Sequence, residues 1–144
     1  MFTTILAMVA AGLFAGASAY VSVVEHPARI ECGGAVGIQQ FGPSARRAAG
    51  MQALLAMVGL LAGVAAWFQG GGVGWLVGGL LLGTLIPFTL MVVIPVNRRL
   101  LDSRLDRGSA EAARLLSHWG RLHALRTVLG LAAFVVFVVL SVRS

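Results

Sequence analysis

The chain has 144 residues, of which 58% are hydrophobic and 11% charged, with 19 glycines and a formal net charge of +6. So little polar surface cannot coat a water-soluble globule of this length, and composition alone places the chain in a membrane. The single cysteine, Cys32, excludes an internal disulfide and the dithiol chemistry of a membrane quinone or disulfide reductase, and no aromatic or basic motif points to nucleic acid.

Four apolar runs follow one another at 2–24, 48–68, 75–96 and 124–142, the first three free of charge and the fourth carrying only Arg126. A helix rises about 1.5 Å per residue, so each run is long enough to cross a hydrocarbon core once. The first contains "GASAY", an Ala-x-Ala pattern that a signal peptidase could cut after Ala19. No Lys or Arg precedes it, however, and the run continues to Val24, so a retained span is expected. Gly12 and Gly16 give this span a small-xxx-small spacing that permits close helix approach.

The run closes on "VEHPAR". Glu25 and Arg29 are four residues apart with the acid first, the favourable order for a pair on one helix face. His26 lies three residues before Arg29, and Pro27 is expected to bend the helix near Ser22 and Val23.

Between the second and third spans, "WFQGGGVGW" sets Trp67 and Trp75 on either side of a glycine turn, the pattern of an aromatic belt at the headgroup level. The third span holds Pro87 and Pro95, each of which leaves a carbonyl without its helical partner, with Thr84 or Thr89 available to satisfy one. Before the fourth span, Ser109 is a plausible helix cap and Glu111 suits the first turn, predicting a helix from about Ser109 to Val142. Asp102, Asp106 and Glu111 interleave with arginines as a charged surface.

Every basic residue is an arginine, and their placement is lopsided. Ten lie in or beside the 25–47 and 97–126 connections, whereas Arg143 alone lies at the other level. The positive-inside rule then predicts an all-α, up-down-up-down bundle of four transmembrane helices with both termini on the non-cytoplasmic side. The whole of 1–144 is one domain of an integral membrane protein, in a bacterial-type inner membrane, with homo-oligomerisation left open.

Under that topology polar groups from all four spans meet at one depth. Glu25 and His26 end the first span and Asn97 the third, while Gln52 lies in the second. Trp119, His123 and Arg126 share one stripe of the fourth, and Thr89 sits at the kink of the third. Facing lipid costs such groups a few kcal/mol each, so they are expected to turn inward onto a cytoplasm-facing cavity. Histidine titrates near neutrality and arginine keeps its charge, so His26 with Arg29 and His123 with Arg126 would each supply a base and an oxyanion clamp. Asn97, Trp119, Thr89 and Gln52 are then the substrate-binding candidates. Three alternatives stand beside this one. His26, His123 and Glu25 could ligate a transition metal, the two histidines could hold a haem, or the ring could be architectural in a non-catalytic binder or helper subunit.

The segments "LFAGASAYVSVVEHPAR", "FGPSARRAAGMQALLA", "PFTLMVVIPVNRRLLD" and "WGRLHALRTVLGLAAF" resemble the anthrone oxygenase-like integral membrane family in order and spacing over nearly the whole chain. The resemblance implies a four-helix membrane bundle with Glu25, His26, Pro27, Arg29, Thr89, Asn97, Trp119, His123 and Arg126 on motif positions. It also implies an oxygenase acting on an apolar phenolic or polycyclic small molecule that arrives through lipid. It transfers neither a substrate nor a cofactor.

Overall fold

The computed structural model describes residues 1–143, and Ser144 lies outside the described residues. Among these the chain is helical apart from short links. Four helices are long and apolar enough to cross a membrane: α1 (Phe2–Glu31), α2 (Gly34–Gly71), α3 (Val73–Leu100) and α4 (Ala110–Arg143). In lipid backbone N–H and C=O groups must be satisfied within the protein, and helices are how these runs do so. Large apolar side chains such as Leu13, Leu54, Leu90 and Val128 are exposed on the outside of the bundle, the surface of an integral membrane protein.

The helices outrun the apolar segments that announce them. α1 continues to Glu31 rather than stopping at Val24, and α2 starts at Gly34, well before Ala48. Charges end the apolar run but not the helix, because arginine and glutamate are good helix formers in water. The stop after α1 is Gly33, whose φ of +84° suits glycine. Ser109 caps α4 as expected, accepting a hydrogen bond from the Ala112 N–H at 3.1 Å, and Glu111 stands in the first turn. In the preceding loop Arg104 donates to Asp102 and holds that carboxyl below its ordinary value.

Each helix packs against its neighbours in sequence, and α1 closes the ring against α4. α2 and α3 approach most closely where Gly63 faces Trp75 and Gly79. A Cβ on Gly63 would lie 2.8 Å from the Trp75 carbonyl oxygen and 3.0 Å from the Gly79 Cα. Gly12 serves α1 in the same way against Phe134, whereas Gly16 faces open space. The Trp67/Trp75 belt needs correction: Trp67 is partly exposed, but Trp75 is buried and stacks on Phe137 with ring centres 5.2 Å apart. A tryptophan beside a glycine turn can reach inward as easily as outward, and here the core claims it.

The proline expectations hold only in part. Val21–Glu25 in α1 and Thr89–Val93 in α3 are π-helical turns, each ending two residues before a proline. In each the next N–H reaches back five residues, His26 to Val21 and Ile94 to Thr89. Pro27 and Pro95 clash with the carbonyl four residues back, and widening the preceding turn relieves that clash. The threonines do not rescue the freed carbonyls: Thr84 Oγ1 donates to the Leu81 oxygen and Thr89 Oγ1 to Leu85. Hydroxyls in a helix reach the carbonyls three and four residues behind them, and the freed ones lie elsewhere.

The core is in two parts. One gathers Phe14, Ala56, Leu82, Leu85, Ala133 and Phe137, and the other Val21, Phe41, Val93, Leu116 and Trp119. Between them lies a polar layer.

Candidate functional site

That layer consists of Ser18, Gln52, His123, Arg126 and Thr127, all buried, with half-buried Ser22 beside them. The two π turns bracket it. Val21 and Val93, one from each turn, line the same cavity of about 60 Å³. Single π turns inside helices are frequent at functional sites, because the widened turn re-aims the residues beyond it.

Seven of the nine sequence candidates line this cavity: Arg29, Gln52, Thr89, Asn97, Trp119, His123 and Arg126. Glu25 and His26 do not. Glu25 sits in a groove between α1 and α2, where its Oε1 accepts hydrogen bonds from Arg29 Nη2 at 2.7 Å, Gln40 Nε2 at 2.9 Å and Ser44 Oγ at 2.5 Å. Arg29 also donates through Nε to Gln40 at 2.6 Å, so this ion pair stitches the end of α1 to the start of α2. His26 packs against the Trp119 ring at 5.4 Å and against Gly120, where any side chain would collide with the imidazole.

Trp119 thus contacts both histidines, with His123 stacked on its ring at 4.9 Å. This geometry bears on the metal alternative. Among the described residues no three of His, Cys, Asp and Glu come together as metal ligands. Glu25 is committed to Gln40, Ser44 and Arg29, and the candidate set His26, His123 and Glu25 does not gather as three metal ligands. A cavity of about 60 Å³ is likewise far smaller than a haem.

Arg126 donates through Nη2 to Gln52 Oε1 at 2.8 Å and lies 5.9 Å from the centre of the Phe14 ring. It is 7% exposed, and among the described residues it has no carboxylate partner. Arg29, also on the cavity wall, lies over Phe41 and Trp119. Four donors on cavity-lining residues lack any acceptor: Arg29 Nη1, Gln52 Nε2, Trp119 Nε1 and Arg126 Nε. Asn97 Oδ1 is also unpartnered. Native proteins leave very few buried donors unmet, because each costs about 1–3 kcal/mol. Four around one small cavity, two of them on guanidinium groups, make a place for an acceptor-rich or anionic guest.

The hydroxyl chain behind His123 went unnoticed in the sequence. Ser22 Oγ lies 3.0 Å from His123 Nδ1 and 2.8 Å from Thr127 Oγ1, and Thr127 Oγ1 lies 3.1 Å from both the Ser18 and His123 carbonyl oxygens. Carbonyls only accept, so the Thr127 proton is spent on them. Thr127 oxygen must then accept from Ser22, and Ser22 oxygen from His123 Nδ1–H. Donor counting thus places the imidazole proton on Nδ1 and leaves the Nε2 lone pair free. The sequence signals were weak but real: Thr127 is four residues beyond His123, and Ser18 and Ser22 are four apart inside a charge-free run.

A family model described as anthrone oxygenase matches residues 40–136. The chain belongs to the anthrone oxygenase family. The match takes in Gln52, Thr89, Asn97, Trp119, His123 and Arg126, and so most of the cavity wall, while the α1 residues Ser22, Glu25, His26 and Arg29 fall before it. No curated protein and no solved structure matches the chain. Family membership suggests an oxygenase-like role for the chain.

Proposed function

We propose that the protein is a membrane oxygenase that acts on an apolar phenolic or polycyclic substrate in this cavity, with His123 as the base and Arg126 as the oxyanion clamp. The observation that carries the reading is the set of unmet donors around the cavity, beside an imidazole whose Nε2 is free. The guest this set suits is an enolate or phenolate oxygen, which accepts several hydrogen bonds and carries the charge that Arg126 lacks opposite it. His123 Nε2 takes a proton from an activated CH₂ group, and the electron pair moves onto the substrate oxygen, where Arg126, Gln52 and Trp119 can donate to it. Dioxygen adds to the carbanion carbon, and the resulting peroxide loses water to leave a carbonyl. In balance, CH₂ and O₂ become C=O and H₂O. Asn97 and Thr89 border the substrate, and Arg29 adds positive potential. His26 and Glu25 hold Trp119 and Arg29 in place rather than meeting substrate.

The arginines cluster at the end of the bundle nearest the cavity, which supports a site open to the cytoplasm and termini on the opposite side of a bacterial-type inner membrane. Oxygen uptake by the purified protein with a hydroxylated tricyclic CH₂ ketone tests the reading. Uptake matched by carbonyl product and lost in His123→Ala supports it, and equal uptake in the variant overturns it. A second reading, a non-catalytic binder, is favoured by one observation: the Ser22–His123–Thr127 chain joins α1 to α4 with every hydroxyl satisfied. It predicts binding without oxygen uptake.

A further inference from the structure

We propose that the gap between α2 and α3 is a side portal through which the ring system of the ligand arrives from the bilayer, and that Ala49 and Ala53 set the size it accepts. The inference rests on the proposed function, since it concerns the ligand whose oxygen that site holds. A second chamber, of about 70 Å³, adjoins the polar cavity and shares Ala49, Gln52, Thr89 and Arg126 with it. Its floor is apolar and buried, formed by Phe14, Ala56 and Leu85. Its rim is Ala49, Ala53 and Leu90, all exposed on the outside of the bundle. At their far ends α2 and α3 are clamped by Gly63 against Gly79, but beside Gln52 the helix α2 lines this gap with alanines, whose methyl groups leave it unfilled.

Small residues alone would mean only close packing. Here two buried residues carry unmet donors and line the chamber as well: Gln52, 1% exposed, through Nε2, and Arg126, 7% exposed, through Nε. A guest that satisfies them with an oxygen has its apolar body in the chamber. Size then decides where that body ends. An apolar cavity of about 150 Å³ holds one benzene ring. The two chambers at about 60 and 70 Å³ together fall a little short of that, so they hold one ring at most and a second must lie in the gap, against lipid. The groove between α1 and α2 also reaches Gln52, but Arg126 does not line it, so a guest there would meet only one of these two unmet donors.

The test uses the full chain in lipid nanodiscs, with phenol and 2-naphthol as probes and the ¹⁵N-labelled Trp119 indole N–H resonance as the readout. Both probes are expected to shift that resonance as the unmet donor gains an acceptor. Ala53→Leu is expected to weaken 2-naphthol about tenfold while leaving phenol within about twofold, the scale on which a few methylenes discriminate ligands in a pocket. Ala49→Leu provides a second plug, and Leu61→Phe, on the exposed face of α2 away from the chamber, is expected to change neither. Binding of 2-naphthol that is lost in Arg126→Gln but indifferent to both alanine variants overturns the portal and leaves the oxyanion site standing. Equal loss of phenol and 2-naphthol in Ala53→Leu overturns the size selection. A wild type that binds neither probe overturns the portal together with the function it rests on.

Discussion

Ser22 on α1 fixes His123 on α4: its Oγ lies 3.0 Å from Nδ1 and 2.8 Å from Thr127 Oγ1, which is itself tied to two carbonyls. The direction of this chain, from imidazole to backbone, determines which ring nitrogen faces the chemistry.

Accordingly, ¹⁵N NMR of His123 in the detergent-solubilised protein at neutral pH is expected to report a neutral ring protonated at Nδ1. Ser22→Ala should mix the tautomers and Ser22→Thr should restore the single one, a pattern that loss of packing does not produce. An Nε2–H tautomer in the wild type contradicts the chain as drawn.

Arg126 is buried without a carboxylate, and such a charge is held at a cost to the fold. Arg126→Met keeps the stem and removes the charge, so it is expected to leave the melting temperature unchanged or raise it while turnover is lost. A melting temperature that drops by many degrees, with activity falling in proportion, would make Arg126 a structural residue instead.

Glu25 points the other way. Its carboxylate collects three donors outside the cavity, so Glu25→Gln should destabilise the bundle by about 2 kcal/mol, the scale of losing charge-assisted hydrogen bonds. Turnover per folded molecule is expected to persist, measured at a temperature where the variant remains folded. Abolished turnover in a folded variant would place Glu25 in the chemistry.

The close approach of α2 and α3 sets a structural prediction. A methyl on Gly63 would stand 2.8 Å from a backbone oxygen, so Gly63→Ala must push the helices apart. The expected loss is about 1–3 kcal/mol, read as a lowered melting temperature in detergent. Gly16→Ala, facing open space, is expected to be neutral.

The spans were legible in the sequence because a charge-free run of about 20 residues has one stable solution in lipid. The convergence of most candidate residues on one cavity was legible for a related reason. Gln52, Asn97, His123 and Arg126 are polar groups at one depth with no affordable place except the interior, and the helical stripe of Trp119, His123 and Arg126 told which way they turn. What the sequence did not yield was partnership. His26 and His123 share a level, yet nothing in their spacing says that both will pack against Trp119. Arg29 could be matched with Glu25 by its four-residue offset, but Gln40 and Ser44 come from another helix and were not foreseeable. The π turns lie between: Pro27 and Pro95 announce a disturbance, while its form depends on which carbonyl each amide finds. Trp75 was misplaced because an amphipathic ring satisfies either an interface or a core, and Phe137, far along the chain, decided.

The central claim is that His123 takes a proton from the substrate carbon before oxygen reacts. The most direct measurement is deuterium exchange into the CH₂ group of a hydroxylated tricyclic ketone in D₂O without oxygen, with wild type beside His123→Ala and Arg126→Met. The account predicts exchange well above background in the wild type, abolished by His123→Ala and strongly slowed by Arg126→Met. Exchange that stays at background in a wild type that still consumes oxygen with this substrate, or that survives in His123→Ala, contradicts it.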